Sequence, residues 1–252
     1  MNSGYPDSGL EMRSSYTIGR FLRTRLRIHY SWLLAFILIT LAVSTQFSVD
    51  NPFWMRVAAG AGAAALYFGA IIVREMPLIL MALYKGIDVK SVTFFIFGGL
   101  LEVDQKTTSA AHEMLLSLVG FFVNLLIAGI FYLVSVLAAR FMTLEIITKW
   151  LAFLFFTLSL FHIVPGYPLE GGRAFRSLLW RILDNGEKSL KIANWVSWVL
   201  GLMIAVGGLL FILFTVERLM GVFFLIAGLV LQNAATHSRR TLARKDVPET
   251  SI

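Results

Sequence analysis

The chain has 252 residues, 58% of them hydrophobic and 15% charged, with a formal net charge of +7 and no cysteine. Soluble domains run near about 45–50% apolar and about 25% charged, so this balance points to a membrane protein and reads the basic surplus as topology signal and headgroup contact, not as a nucleic-acid surface. The absence of thiols excludes disulfides, thiolate-held zinc and a cysteine nucleophile.

In chain order, Arg13, Arg20, Arg23, Arg25 and Arg27 precede a first apolar run from Ile28 to Val49. That run is too long for a signal peptide and lacks a small-residue cleavage site, so it reads as an uncleaved span. A crossing helix needs about 20 predominantly apolar residues. Candidate spans lie at 30–48, 57–83, 110–139, 147–164, 192–215 and 219–236. The second is interrupted by Arg74 and Glu75, and the third opens beside His112 and Glu113. Little more than Val216, Glu217 and Arg218 separates the last two, which predicts a tight antiparallel pair.

Two polar segments stand between spans. Gly86–Lys106 contains the β-branched and aromatic stretch Val92–Phe97 before Gly98-Gly99, which predicts a short strand or hairpin. Pro165–Gly172 is rich in Pro and Gly and predicts a break, with Gly171-Gly172 turning into a helix from Arg173 to Leu183 whose basic face lies at the cytoplasmic surface. Lys and Arg crowd the segments before the first span and after the second, fourth and sixth. Arg56, Arg140, Lys149 and Arg218 are left for the other side. The positive-inside rule then places both termini in the cytoplasm and fits six crossings of the cell membrane. The expected organisation is a tail over 1–28, a transmembrane domain over 29–237 and a tail over 238–252. Trp32, Trp54, Trp150 and Trp180 fall near span ends as interfacial anchors.

A charge inside a span costs at least about 2.5–3.5 kcal/mol on insertion scales. The apolar run continues beyond Glu75 from Met76 to Leu83, so Arg74 and Glu75 sit within the span and mark a site. The blander reading ends the span at Val73 and leaves the pair at the interface. Asn124, deep in the third span, is expected to bond the Pro-Gly segment or simply to pack.

Arg74-Glu75-Met76-Pro77-Leu78, then Ala82–Ile87, Ser91-Val92-Thr93 and Phe97-Gly98-Gly99, resemble the active-site region of site-2 proteases, which are intramembrane zinc metalloproteases. That family carries H-E-x-x-H there. Pro165–Arg173 is similar to its N-x-x-P-x-x-P-x-D-G-G-R segment, Gly120 and Asn124 match its G-P-x-x-N, and Arg27–Trp32 resembles the start of its first span. The likeness covers nearly the whole chain and is nearest to the compact six-span type without a regulatory domain. It implies an all-α polytopic membrane protein of about six transmembrane helices with a small strand or hairpin element on the cytoplasmic side.

The resemblance also implies a degenerate centre. Histidines at i and i+4 share a helix face and ligate zinc, the adjacent glutamate is general base, and an aspartate completes the site. Here those ligand positions hold Arg74, Leu78 and Glu170, and the base position keeps Glu75. A permanently cationic arginine repels a dication and leucine donates nothing. His162 replaces the family's Asn, and Pro77, with no N–H for the Val73 carbonyl, is expected to bend the helix. Arg74 is expected to pair with Glu75 or Glu170, or to snorkel to the interface. Asn124, His162, Pro165 and Pro168 are expected to line a cleft.

These readings predict a non-catalytic pseudo-protease without metal, whose partners are the bilayer and a transmembrane or juxtamembrane segment of another protein. Val92–Phe97 is expected to be the edge that takes up an extended peptide. The alternative is an active zinc metalloendopeptidase with an atypical site drawing on His112, His162 and Glu170.

Overall fold

A computed structural model describes residues 15–21, 24–95, 98–103, 108–166, 169–215 and 218–245. The chain order is β1 (Ser15–Phe21), β2 (Thr24–His29), α1 (Ser31–Ser44), α2 (Phe53–Tyr84), β3 (Val89–Phe95), β4 (Gly98–Val103), α3 (Ala110–Leu137), α4 (Met142–Phe161), α5 (Glu170–Leu183), α6 (Gly186–Phe214) and α7 (Arg218–Lys245). Contacts divide the chain into two compact units, one of Ser14–Ile163 and one built on Val164–Ile252.

Hydropathy decides where the helices run. Among the described residues, α2, α3, α4 and α6 are long and apolar enough to cross a membrane, and Ser31–Ser44 and Gly221–Asn233 are shorter apolar helices. Large apolar side chains stay exposed along them, including Leu33, Phe122, Leu126, Phe153, Met203 and Leu213. Such a surface suits lipid and is unfavourable in water. α2 runs as one helix of 32 residues through Arg74, Glu75 and Pro77. The pair therefore lies within it and does not end it.

In the first unit α1 packs on α2, and α2 on α3 and α4. Gly60 makes the first contact close, since a Cβ there would collide with the Thr40 backbone. Trp32 lies tilted against Phe68 at 4.2 Å between ring centroids, so it packs inside this pair. The four strands form one sheet in the order β1-β2-β3-β4. β1 and β2 are antiparallel, β2 and β3 parallel, and β3 and β4 antiparallel.

This sheet corrects the expected peptide-binding edge. β3, which contains Val92, is paired on both sides, so its ladder groups are already used. The edges belong to β1 and β4. Ile96 and Phe97 lie outside the described residues.

In the second unit α5 packs on α6, and α6 on α7. α6 and α7 meet backbone to backbone. A Cβ on Gly201 would lie 2.9 Å from the Gly228 carbonyl oxygen, and one on Gly208 would lie 2.8 Å from that of Gly221. Small residues permit this approach, as expected for a tight pair. Gly171 and Gly172 do not turn the chain, because α5 already starts at Glu170 and includes both. Of the basic groups of this helix, Arg173 and Arg176 are buried and Arg181 is exposed. α7 remains helical to Lys245, inside the segment read as a tail.

Candidate functional site: a buried ion pair on helix α2

The buried stripe of α2 includes Tyr67, Ile71, Arg74, Glu75, Leu78, Ile79 and Ala82. Spacings of three and four put these residues on one face. The sequence therefore aims two ionised groups at the core of the first unit. Arg74 is 1% exposed and Glu75 0%. They solve the cost of burial together, through an ion pair of Arg74 Nη1 with Glu75 Oε1. Pairing makes charge tolerable in such surroundings.

The remainder of the guanidinium is held from α3. Arg74 Nε donates to Asn124 Oδ1 at 3.3 Å, and Asn124 Nδ2 lies 2.9 Å from His162 Nδ1. Arginine can only donate, so Asn124 must turn its oxygen to Arg74 and its NH2 to the imidazole. His162 Nδ1 is therefore the acceptor, and a neutral ring carries its proton on Nε2. Three helices thus contribute one chain of groups, Glu75–Arg74–Asn124–His162, with His162 as the C-cap of α4. Asn124 bonds these two residues, one on either side of it in the chain of groups.

Strand β4 closes on the same place. Gly98 has φ +136°, a conformation glycine tolerates, and a Cβ there would stand 4.0 Å from His162 Cε1. At Gly99 a Cβ would run into the Glu75 carboxyl group. The Gly-Gly pair lets an edge strand pass directly over Glu75. Sequence reasoning noticed these glycines without assigning them this contact.

Leu78 is fully buried and presents only carbon. Glu170 is the first residue of α5 in the second unit, buried and at a helix N-terminus that favours a carboxylate. Pro165 is exposed, and Pro168 lies outside the described residues. His112 is half-buried, and its backbone N–H is capped by the Ser109 hydroxyl at 3.3 Å.

Catalytic zinc takes three protein donors and an open position. At this centre the guanidinium has no lone pair, Leu78 has no donor, Glu75 is in the ion pair and His162 Nδ1 is taken by Asn124. Among the described residues no group of three or more His, Cys, Asp or Glu is placed to hold a metal ion. The residues present do not fit zinc.

Helices around a buried polar centre, with a glycine-bearing edge strand over it, define a membrane protein of the site-2 protease fold. A solved site-2 protease from Methanocaldococcus jannaschii superposes with a TM-score of 0.66 at 20% identity, covering 94% of this chain and 98% of that one. A Synechocystis protein provisionally named a zinc metalloprotease, sll0528, is 29% identical over 250 residues, 95% of this chain and 64% of its own length. Rip3 of Mycobacterium tuberculosis, provisionally named likewise, is 29% identical over 181 residues, 68% of this chain and 45% of its own length. The chain thus spans about half to two thirds of the curated relatives it matches. No family model matches it. The chain thus has the fold of that solved protease and is similar in sequence to two proteins provisionally named zinc metalloproteases.

Proposed function

We propose that the protein is a non-catalytic relative of the site-2 proteases that holds an extended transmembrane or juxtamembrane segment of another protein. One observation carries the reading: the Arg74 side chain is buried and paired with Glu75, at the residue where the resemblance implies the first metal ligand. A fixed cation there supplies positive charge without a Lewis acid, and Glu75 is engaged as its counter-ion. The pairing of Arg74 with Glu170 that the resemblance implies also belongs to this proposal.

The segment adds as a further strand to β4, in place of the β3 edge expected from sequence. Main-chain bonds along a sheet edge give affinity without chemistry. A segment on Gly98–Val103 runs past Glu75 at its Gly98-Gly99 end. The proposal includes six crossings with both termini in the cytoplasm.

Active intramembrane proteolysis with an atypical metal site is the rival reading, favoured by the names of the relatives and by Glu75 at the base position. Metal analysis of protein purified without chelator separates the two. The non-catalytic reading expects zinc well below one per chain and a specific membrane partner on crosslinking from β4. Stoichiometric zinc, or crosslinking that finds no specific partner, overturns it.

A further inference from the structure

Strands β1 and β2 have no part in the ion-paired centre or the β4 edge, yet they carry an unusual arrangement of charge. Their register sets Arg20 directly opposite Arg25 and Thr17 opposite Arg27. Opposed residues of an antiparallel pair share a face, as do alternate residues of β2. Arg20, Arg25 and Arg27 therefore stand on one face of the sheet. On the same row Arg25 is level with Ser91, and Ser91 with Glu102. The Ser91 hydroxyl donates to Glu102 at 2.7 Å, so the acid of this row is engaged two strands away, about 10 Å at the usual strand spacing.

Arg20 and Arg25 are both exposed, and among the described residues neither forms an ion pair. Like charges directly opposite destabilise a strand pair. An anion between them reverses the sign, and two guanidinium forks suit a phosphate.

The location selects which anion. A single residue, Tyr30, separates β2 from α1, whose exposed Leu33, Leu34, Ile37 and Leu41 face outward in the manner of a lipid-facing helix. The hairpin itself exposes Tyr16 at 79% and Ile18 at 62%. Basic and aromatic groups beside the start of an apolar helix belong at the headgroup level.

We infer that the Arg20–Arg25 pair, with Arg27 beside it, binds the phosphate of an anionic phospholipid headgroup and docks the β1–β2 hairpin on the bilayer surface. Each basic group near an anionic membrane contributes about fivefold to such binding.

The test uses the full chain in neutral detergent, titrated with short-chain phosphatidylglycerol, the matching phosphatidylcholine, or inorganic phosphate, reading the thermal midpoint. Phosphatidylglycerol alone is expected to raise it. R20Q and R25Q each need about fivefold more of that lipid, and R20Q/R25Q about 25-fold more. R20K/R25K, which keeps the charge, stays closer to the wild type. Removing the repulsion leaves R20Q/R25Q at least as stable without lipid, and the single variants keep the test readable if the double variant fails to fold. Equal titrations for wild type and all the glutamine variants overturn the inference. So does an equal shift with inorganic phosphate, which assigns the site to a free anion, or with phosphatidylcholine.

Discussion

The carboxyl group of Glu75 lies against the backbone of Gly99, filling the space where any other residue would place its Cβ. Strand β4 and helix α2 are locked together at the point where α2 carries its ion pair. Gly99→Ala therefore forces the carboxylate or the strand to move, and overpacking of this kind costs about 1–3 kcal/mol. A lowered thermal midpoint in detergent, with weaker partner crosslinking from β4, is expected. Gly62→Ala is the control, because nothing lies within 4 Å of the added methyl and helix propensity favours alanine by about 1 kcal/mol. Equal midpoints for Gly99→Ala and wild type would refute the contact.

Removing the cation should hurt more than removing the pair. Arg74→Leu leaves Glu75 buried without its counter-ion, a change that costs about 3–5 kcal/mol. Adding Glu75→Gln to that variant removes the stranded charge and should recover much of the loss. Unfolding of the four proteins in denaturant measures it, and additive losses would show that the two side chains do not depend on each other. The same cycle run with Glu170→Gln tests the proposed second partner of Arg74, where a coupling above about 0.5 kcal/mol supports it.

Rebuilding the donor set is the reciprocal experiment. Arg74→His with Leu78→His restores two imidazoles one turn apart, and Glu170→Asp restores the third position of the resembling motif. The triple variant is expected to bind about one zinc per chain, by the three-donor requirement. Arg74→His alone is expected to bind none tightly. Metal content after dialysis decides it, and equal zinc in wild type and triple variant would contradict the assignment of these positions.

His29 offers a pH-dependent reading at the end of strand β2, ahead of the first helix. Its Nδ1 accepts the Ser31 N–H at 3.3 Å and lies 2.9 Å from the Ser31 hydroxyl, at the start of α1. Burial holds its imidazole below the ordinary value of 6.5. The unfolded chain therefore takes up this proton at higher pH than the folded one. The associated stability is fully present above about pH 6.5 and is lost as pH falls through the lower folded value. Thermal midpoints should be flat from pH 8 to 7 and decline below 6.5, and His29→Gln should flatten that decline. An unchanged slope in His29→Gln would assign the decline to other groups.

Much of this molecule can be read from its residues, for identifiable reasons. α2, α3, α4 and α6 follow long apolar runs, which leave few alternatives. Arg74 and Glu75 stand out because ionised groups in such a run need partners. β1 and β2 were hidden by their own charge: five arginines ahead of a span read first as a topology signal. The alternation of Thr24-Arg25-Leu26-Arg27-Ile28-His29 is nonetheless a strand pattern, and it was available. The link from Arg74 through Asn124 to His162 joins residues 50 and 38 positions apart, and only packing of three helices brings them together. Helix α5 begins at Glu170 despite two glycines because a carboxylate at its first turn and a buried face outweigh their weak helix propensity.

The parallel ladder between β2 and β3 has a consequence for the path of the chain between them. Parallel neighbours run in the same direction from one common level, so whatever lies between them must leave that level and come back. What lies between is α1 and α2, with Tyr30 at one end and residues 85–88 at the other. The path is therefore a return: α1 and α2 together bring the chain back so that Phe94 lies level with Ile28, a closure set by hydrogen-bond geometry and independent of where the lysines and arginines fall.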